Sequence, residues 1–145
     1  MRLVALTEDR AEAAAGWFMG DPEGSAEFGG FYGVHPKWWT LVERDEHRRG
    51  WIAIESSSEV GFVDLEVAGS AANFAIYIMR EWRGRGLGTA LVGLVADAAV
   101  AEGVVRLVGE AAPSNEPSLR AMRTAGFADV GSTDQGYLRL ERLLA

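Results

Sequence analysis

Residues 80–88 read Arg80-Glu81-Trp82-Arg83-Gly84-Arg85-Gly86-Leu87-Gly88 and separate an apolar, strand-like run from a long segment with helical periodicity. The alternate glycines remove side chains from the turn, so that consecutive backbone N–H groups can point at one anion. The positive end of the following helix adds to this attraction. Arg80, Arg83 and Arg85 bring further positive charge to the same turn. The segment therefore predicts a binding loop for a pyrophosphate.

The spacing of this segment excludes two other phosphate-binding motifs. A P-loop requires G-x-x-x-x-G-K-[ST], and neither that spacing nor a lysine is present here. The dinucleotide fingerprint G-x-G-x-x-G also fails, because Gly88 arrives one residue early when counted from Gly84. What Arg83, Gly86 and Gly88 do match is R-x-x-G-x-G.

R-x-x-G-x-G is the signature of the GCN5-related N-acetyltransferase (GNAT) family. Downstream, Asn115-Glu116-Pro117-Ser118-Leu119-Arg120-Ala121-Met122-Arg123-Thr124-Ala125-Gly126-Phe127 resembles the family motif N-x-x-[AS]-x-x-x-Y-x-x-x-G-F. The resemblance implies an α+β (mixed α/β) GNAT fold, with a central, mostly antiparallel twisted sheet of about six or seven strands flanked by about four helices. We expect one such domain over residues 1–145.

Composition narrows the classes of partner. The chain of 145 residues is 48% hydrophobic, which suffices for one core, and it has no cysteine for a disulfide, a thiolate zinc site or a nucleophile. It carries 14 basic and 21 acidic residues, a net charge of -7 that argues against binding nucleic acid. All but one of the basic residues are arginines, so a place where several converge would attract anions locally. We expect no metal and no nucleic-acid partner.

The chain has no pattern typical of a targeting or membrane segment. The first apolar run, residues 3–6, is too short for the core of a signal peptide and is followed by charges. No stretch approaches the ~20 apolar residues of a membrane helix. We expect a cytoplasmic protein that does not contact a membrane.

Hydrophobic patterning predicts the order of elements. Thr7 is the expected N-cap of a first helix, and Gly103 is the expected C-terminal cap of the long helix that begins at Leu87. Pro36 and Pro117 are expected to open two further helices. The predicted strands cover residues 3–6, 51–54, 60–67, 74–79, 104–108, 127–130 and 137–143. The three strands over residues 51–54, 60–67 and 74–79 are expected to be antiparallel, and the first parallel pairing is expected near the long helix.

The resemblance implies acetyl-coenzyme A as co-substrate. Backbone groups at residues 84–88 would hold the pyrophosphate, and backbone groups of Ile78 and Met79 would bind the pantetheine as an added strand does. Asn115 would hold or bridge to the pantetheine, although an asparagine there is equally typical of a loop or helix cap. An alternative interpretation stays open for Gly84 and Arg85, in which the glycine belongs to an ordinary tight turn and the arginine is solvated. The predicted coenzyme-binding residues are Ile78, Met79, Arg80, Arg83, Gly84, Arg85, Gly86, Leu87, Gly88, Thr89, Asn115 and Ser118.

The chain departs from the family pattern at Met122, where the motif has a tyrosine that commonly protonates the departing thiolate. A thiol has a pKa near 8.5, so its release as thiolate at pH 7 costs about 2 kcal/mol. General acid catalysis is typically worth ~10² to 10⁴ in rate. The loss would therefore slow an enzyme without forbidding turnover, and Ser118, Tyr137 or a water could substitute. Met122 could also mark a protein that binds or senses acyl-coenzyme A with little turnover.

A carboxylate should stand near the acceptor, because an alkylammonium must lose a proton before it attacks a thioester. Glu110, at the end of the fifth predicted strand, is the first candidate, since several acetyltransferases carry a functional acid at the equivalent place. Asp64 and Glu66 are alternatives. Alternation places these two on one face of the third strand, which could equally be a solvent-facing side.

The resemblance implies direct transfer of an acetyl group to a primary amine, of a small molecule or a peptide N-terminus, within a ternary complex. Transfer of another acyl group is an alternative, and family members are often homodimers. An amine suits the acidic chain better than an acid does. Aromatic side chains in the first two helices and their connection are expected to be mostly core, with one or two facing the acceptor. They are Trp17, Phe28, Phe31, Tyr32, Trp38 and Trp39.

Overall fold

The computed structural model describes residues 1–23 and 38–144, which form one seven-stranded mixed sheet with α-helices packed on both faces. The described helices are α1 Glu8–Met19, α2 Trp38–Arg44, α3 Leu87–Ala101 and α4 Glu116–Thr124, with a 3-10 helix at Arg80–Trp82. The strands are β1 Arg2–Ala5, β2 Arg48–Glu55, β3 Ser58–Ala68, β4 Ala71–Ile78, β5 Arg106–Ala111, β6 Ala128–Ser132 and β7 Leu138–Leu143. The predicted α+β class is confirmed.

The strand order is β1-β2-β3-β4-β5-β7-β6. Strands β1 to β4 form an antiparallel meander, and β4 and β5 are parallel, joined by a crossover that contains α3. The parallel pairing therefore occurs beside the long helix, as predicted. The remaining pairs, β5 with β7 and β7 with β6, are antiparallel.

Local sequence signals set most helix ends. Thr7 Oγ1 accepts a hydrogen bond from Arg10 N at 3.3 Å, which caps α1. Gly103 has φ +80° just beyond α3, a conformation that glycine adopts without strain. Strand β5 begins two residues later than predicted, at Arg106, because Val104 N still binds Ala99 O at 3.0 Å at the end of α3. The predicted helix start at Pro36 lies outside the described residues.

The sheet separates two apolar layers. On one face, Val63 and Leu65 of β3 pack in a buried cluster with α3 and α4. On the other face, Phe62 and Tyr77 pack with α1 and with Trp38 of α2. None of the described helices is both long enough and apolar enough to cross a membrane.

Strands β4 and β5 pair over only a short length. Residues 71–73 of β4 are in register with residues 106–108 of β5. Beyond that point β4 continues to Ile78 and β5 to Ala111, without pairing with each other. The strands therefore diverge and leave a gap in the middle of the sheet.

Candidate active site

A cavity of about 330 Å³ lies at the gap between β4 and β5. Its wall combines strand residues with the beginning of α4 and the residue before β7. The lining residues are Asp64, Glu66, Asn73, Phe74, Ala75, Ile76, Val108, Glu110, Ala111, Asn115, Ser118, Met122 and Tyr137. All three carboxylates proposed as bases from the sequence therefore line one cavity.

The cavity reaches both faces of the sheet. Glu66, Asn73 and Val108 are directly opposite one another across β3, β4 and β5, so their side chains point to the same face. Glu110 lies two residues beyond Val108 on that face. Met122, from α4, belongs to the apolar layer on the opposite face. The cavity therefore has a carboxylate side, on the face of the sheet with Glu66 and Glu110, and an α4 side, on the face with Met122. The gap between β4 and β5 connects the two sides.

The edge of β4 at the gap offers backbone hydrogen-bonding groups. Met79 N donates to Val60 O at 2.8 Å, on the β3 side, whereas Ile78 O accepts from Arg83 Nε at 2.9 Å. Because bonding alternates along an antiparallel pair, Ile76 and Phe74 also direct their backbone groups away from β3. The β4 residues that line the cavity are 73–76, which come before the predicted pair Ile78 and Met79 in the chain.

The glycine loop leads directly into α3. Gly84 and Gly86 both have φ +77°, and a Cβ built at either would meet nothing within 4 Å. Gly86 is the N-cap of α3, and no side chain caps this helix end. Leu87 and Thr89 lie in the first turn, whose N–H groups have no partner within the helix. A Cβ at Gly88 would lie 3.6 Å from Ala121 Cβ, so this glycine brings α3 close to α4.

The three arginines of the loop have different surroundings. Arg83 and Arg80 both form ion pairs with Asp21, a buried residue just beyond α1. Arg85 lies over the Trp82 ring, 4.7 Å from its centroid, and donates to Glu81 O. Among the described residues, Arg85 has no carboxylate partner. No motif or spacing in the sequence marks Asp21 as a partner of these arginines.

Glu110 and Glu66 each use one carboxylate oxygen. Glu110 Oε1 accepts from Arg139 Nη2 at 3.1 Å, and Glu66 Oε2 accepts from Arg48 Nη2 at 2.8 Å. Both side chains are partly exposed, 38% for Glu110 and 50% for Glu66. Within residues 1–23 and 38–144, the second oxygen of each has no hydrogen bond and remains free for a ligand.

Asp64 differs from its neighbours in being buried, with only 4% of its surface exposed. Its Oδ1 accepts from Trp38 Nε1 and its Oδ2 from Arg48 Nη1, both at 2.9 Å. Burial raises the pKa of Asp64, while the hydrogen bond from Trp38 and the charge of Arg48 oppose that rise. The solvent-facing interpretation of this residue is wrong, because α2 covers it. As both oxygens are engaged, Asp64 is a poorer base candidate than Glu66 or Glu110.

The start of α4 faces the cavity. Asn115 Oδ1 accepts from Ser118 N at 3.3 Å, so Asn115 is the N-cap of α4, and the same residue lines the cavity. Met122 lies one turn after Ser118 and is buried. A Cβ at Gly109 would lie only 2.5 Å from Met122 Sδ, so the methionine packs tightly against β5.

The aromatic residues of the first helices are mostly core, as expected. Trp38 is fully buried, and Trp17 and Trp39 pack against the same layer as Phe62. None of these tryptophans lines the cavity. The other three aromatic residues of the predicted cluster, Phe28, Phe31 and Tyr32, lie outside the described residues. Within the described ranges, no group of three or more His, Asp or Glu residues could hold a metal ion.

Comparison with known proteins agrees with this architecture. The family model of the acetyltransferase (GNAT) domain matches residues 1–128. No curated protein matches the sequence at a significant level.

Several solved structures share the fold at low sequence identity. Spermidine N-acetyltransferase from Vibrio cholerae, in complex with coenzyme A and spermine, has a TM-score of 0.85 at 16% identity, over 99% of this chain and 95% of that one. The aminoglycoside acetyltransferase AAC(6')-Ib, with coenzyme A and kanamycin, has a TM-score of 0.83 at 19% identity, over 97% and 93% of the two chains. The GNAT domain of S. lividans PAT has a TM-score of 0.80 at 22% identity, over 99% and 90%.

Proposed function

Because the chain belongs to the GNAT acetyltransferase family, we propose that it moves an acetyl group from acetyl-coenzyme A directly to a primary amine, of a small molecule or a peptide N-terminus, within a ternary complex. The observation that carries this proposal is the cavity at the gap between β4 and β5. In this cavity a coenzyme bound on the α4 side and an amine bound on the carboxylate side would lie next to each other.

The residues around the gap fit acetyl-coenzyme A. The uncapped start of α3 and the open glycine turn suit a pyrophosphate, since helix N-terminal N–H groups bind anions. The free edge of β4 suits the pantetheine amides, and Asn115 lines the same cavity. The co-substrate supplies an activated acetyl thioester. The protein's part is to hold that group beside the acceptor.

Glu110 is the proposed base. Its free oxygen lies on the cavity wall, where it accepts a proton from the acceptor ammonium and leaves the nitrogen lone pair able to attack. Glu66 occupies the same face with an equally free oxygen, and it binds the acceptor or serves as the base in place of Glu110. Arg48, which is itself bound to Asp64, holds Glu66 in place through a hydrogen bond.

Departure of the thiolate does not require a phenol. At pH 7 a free thiolate costs about 2 kcal/mol relative to its thiol, a small part of the total barrier. Ser118 lies on the same side of α4 as Met122, one turn nearer the helix N-terminus, and its hydroxyl can donate a hydrogen bond to the sulfur. Tyr137 lines the cavity and offers a second hydroxyl.

The carboxylates support an amine acceptor over an acidic one. The similar enzymes described above were solved with kanamycin and with spermine. This chain has Asp64, Glu66 and Glu110 on its cavity wall against the paired Arg48 and Arg139, which leaves an excess of negative charge. A cationic amine is therefore favoured by electrostatic attraction.

The test is an acceptor screen with acetyl-coenzyme A, in which release of free thiol is followed and each product is identified by its mass. Acetylation of at least one primary amine above the rate without acceptor is expected. Met122 motivates a second candidate, a protein that binds acyl-coenzyme A with little turnover. Calorimetric binding without thiol release for any amine would favour that candidate. Parallel runs with longer acyl-coenzyme A donors test the choice of acyl group.

A further inference from the structure

Asp21 joins three parts of the molecule that are distant in sequence. It follows α1 and is 3% exposed. Its Oδ1 accepts from Arg80 Nη2 at 3.1 Å, and its Oδ2 accepts from Tyr77 Oη at 2.7 Å and from Arg83 Nη2. The end of α1, the end of β4 and the glycine loop therefore share one buried carboxylate.

Arg83 is held from two directions. Its Nε donates to Ile78 O at 2.9 Å, its Nη2 donates to Asp21, and its guanidinium lies 5.4 Å from the centre of the Tyr77 ring. Such a guanidinium cannot swing out to a phosphate without breaking charge-assisted bonds, which are about twice as strong as neutral ones. The arrangement differs from the expectation that Arg80, Arg83 and Arg85 all surround the anion.

We propose that Asp21 is a positioning residue for the pyrophosphate loop: it holds Arg80 and Arg83 against the ends of α1 and β4, so that the backbone N–H groups of residues 84–88 face the anion. This proposal rests on the proposed function, because it assumes that the loop binds a coenzyme. Arg83 then connects the loop to Asp21 and Ile78, and Arg85 is the loop arginine that remains available to bind the phosphates.

Charge supports this assignment. Asp21 offsets one of the two positive charges of Arg80 and Arg83, so the two guanidinium groups can lie close together in a defined geometry. Without the carboxylate, the two guanidinium groups would repel each other, and Arg83 would keep only its bond to Ile78 O and its contact with the Tyr77 ring. The loop would lose its attachment to the end of α1. Its backbone N–H donors would then have to become ordered when the anion binds.

The experiment compares ligands with and without the pyrophosphate. Asp21→Asn and Asp21→Ala are assayed for binding of coenzyme A and of pantetheine by calorimetry, and for kcat/KM with acetyl-coenzyme A and acetylpantetheine. Asp129→Asn is the matched control, since Asp129 also accepts from an arginine, Arg123, but lies outside the cavity wall. We expect the preference for the pyrophosphate-containing ligand to fall by about tenfold in the Asp21 variants and to stay unchanged in the control.

Two outcomes would overturn the assignment. An unchanged preference, with only a lower thermal midpoint, would reduce Asp21 to a structural role. A raised preference would mean that the freed arginines bind phosphate better than the tied loop does. Should Asp21→Ala fail to fold, Asp21→Asn, which keeps the size and one acceptor oxygen, decides between these results. Wild-type protein that binds coenzyme A but acetylates no amine would contradict only the transferase proposal, while absence of coenzyme A binding would contradict both.

Discussion

Glu110 on β5 and Arg139 on β7 are directly opposite each other in an antiparallel pair, and Arg139 Nη2 donates to Glu110 Oε1 at 3.1 Å. Both side chains are partly exposed, so the pair contributes at most about 1 kcal/mol to stability. Its importance lies in orientation, because it turns one carboxylate oxygen to Arg139 and leaves the other for the cavity. A cationic acceptor can therefore approach Glu110 without breaking the ion pair.

Glu110→Gln should lower kcat/KM by about 10²-fold near neutral pH, because the amide keeps a partner for Arg139 but cannot take the ammonium proton. Binding of acetyl-coenzyme A, measured by calorimetry, should be unchanged. Glu141→Gln is the matched control, since Glu141 accepts from Arg106 on the same pair of strands and does not line the cavity. Equal activity of the two variants would remove Glu110 from the mechanism and direct attention to Glu66.

Ser118→Ala should lower kcat by roughly tenfold with little change in the KM for the amine, since one hydrogen bond of about 1–2 kcal/mol to the leaving sulfur is lost. Tyr137→Phe should instead act mainly on the KM for the amine, because Tyr137 lines the cavity two residues before Arg139, the partner of Glu110. Ser114→Ala provides a control hydroxyl outside the cavity wall. A larger loss of kcat in Tyr137→Phe than in Ser118→Ala would reverse these assignments.

Gly86→Ala should weaken binding of acetyl-coenzyme A. Its φ of +77° costs an alanine about 1–2 kcal/mol, and the resulting shift of the loop would misalign the N–H groups at the start of α3. Gly103→Ala is matched in strain, because Gly103 has φ +80° at the opposite end of the same helix. Both variants should lose similar stability in urea, and only Gly86→Ala should lose coenzyme affinity. Equal affinities would show that the loop does not hold the pyrophosphate.

Tyr77 should make stability sensitive to alkaline pH. Burial, together with the hydrogen bond to Asp21, raises the pKa of Tyr77 well above the value of about 10 that is usual for tyrosine. The folded protein then binds more protons than the unfolded chain above that pH, so this stabilisation is complete below about pH 10 and is lost as pH rises further. Tyr77→Phe should be less stable by about 1–2 kcal/mol at pH 7, and this deficit should shrink above pH 10. Urea unfolding from pH 7 to 11 measures this difference in stability. A difference that does not change with pH would contradict a raised pKa of Tyr77.

The features that were predicted from sequence are those encoded within a few residues. Thr7 caps α1 because its hydroxyl reaches an amide three positions along the chain. Gly86 and Gly103 lie at the two ends of α3, where the positive φ of the backbone is unfavourable for other residues. Alternation along β3 correctly grouped Asp64 with Glu66. It could not show that Trp38 covers Asp64, because burial depends on what packs on a face.

The sequence by itself determined the class of fold, the order of its elements and the glycine loop that begins α3, since turn chemistry and hydrophobic periodicity act through neighbouring residues. Only the tertiary structure decided which oxygens of Asp64, Glu66 and Glu110 remain free, and that Arg83 binds a carboxylate in place of solvent. Arg83 and Asp21 are 62 positions apart, and Arg139 and Glu110 are 29 apart. Contacts at such distances follow from strand order and from the divergence of β4 and β5, which local patterns do not encode.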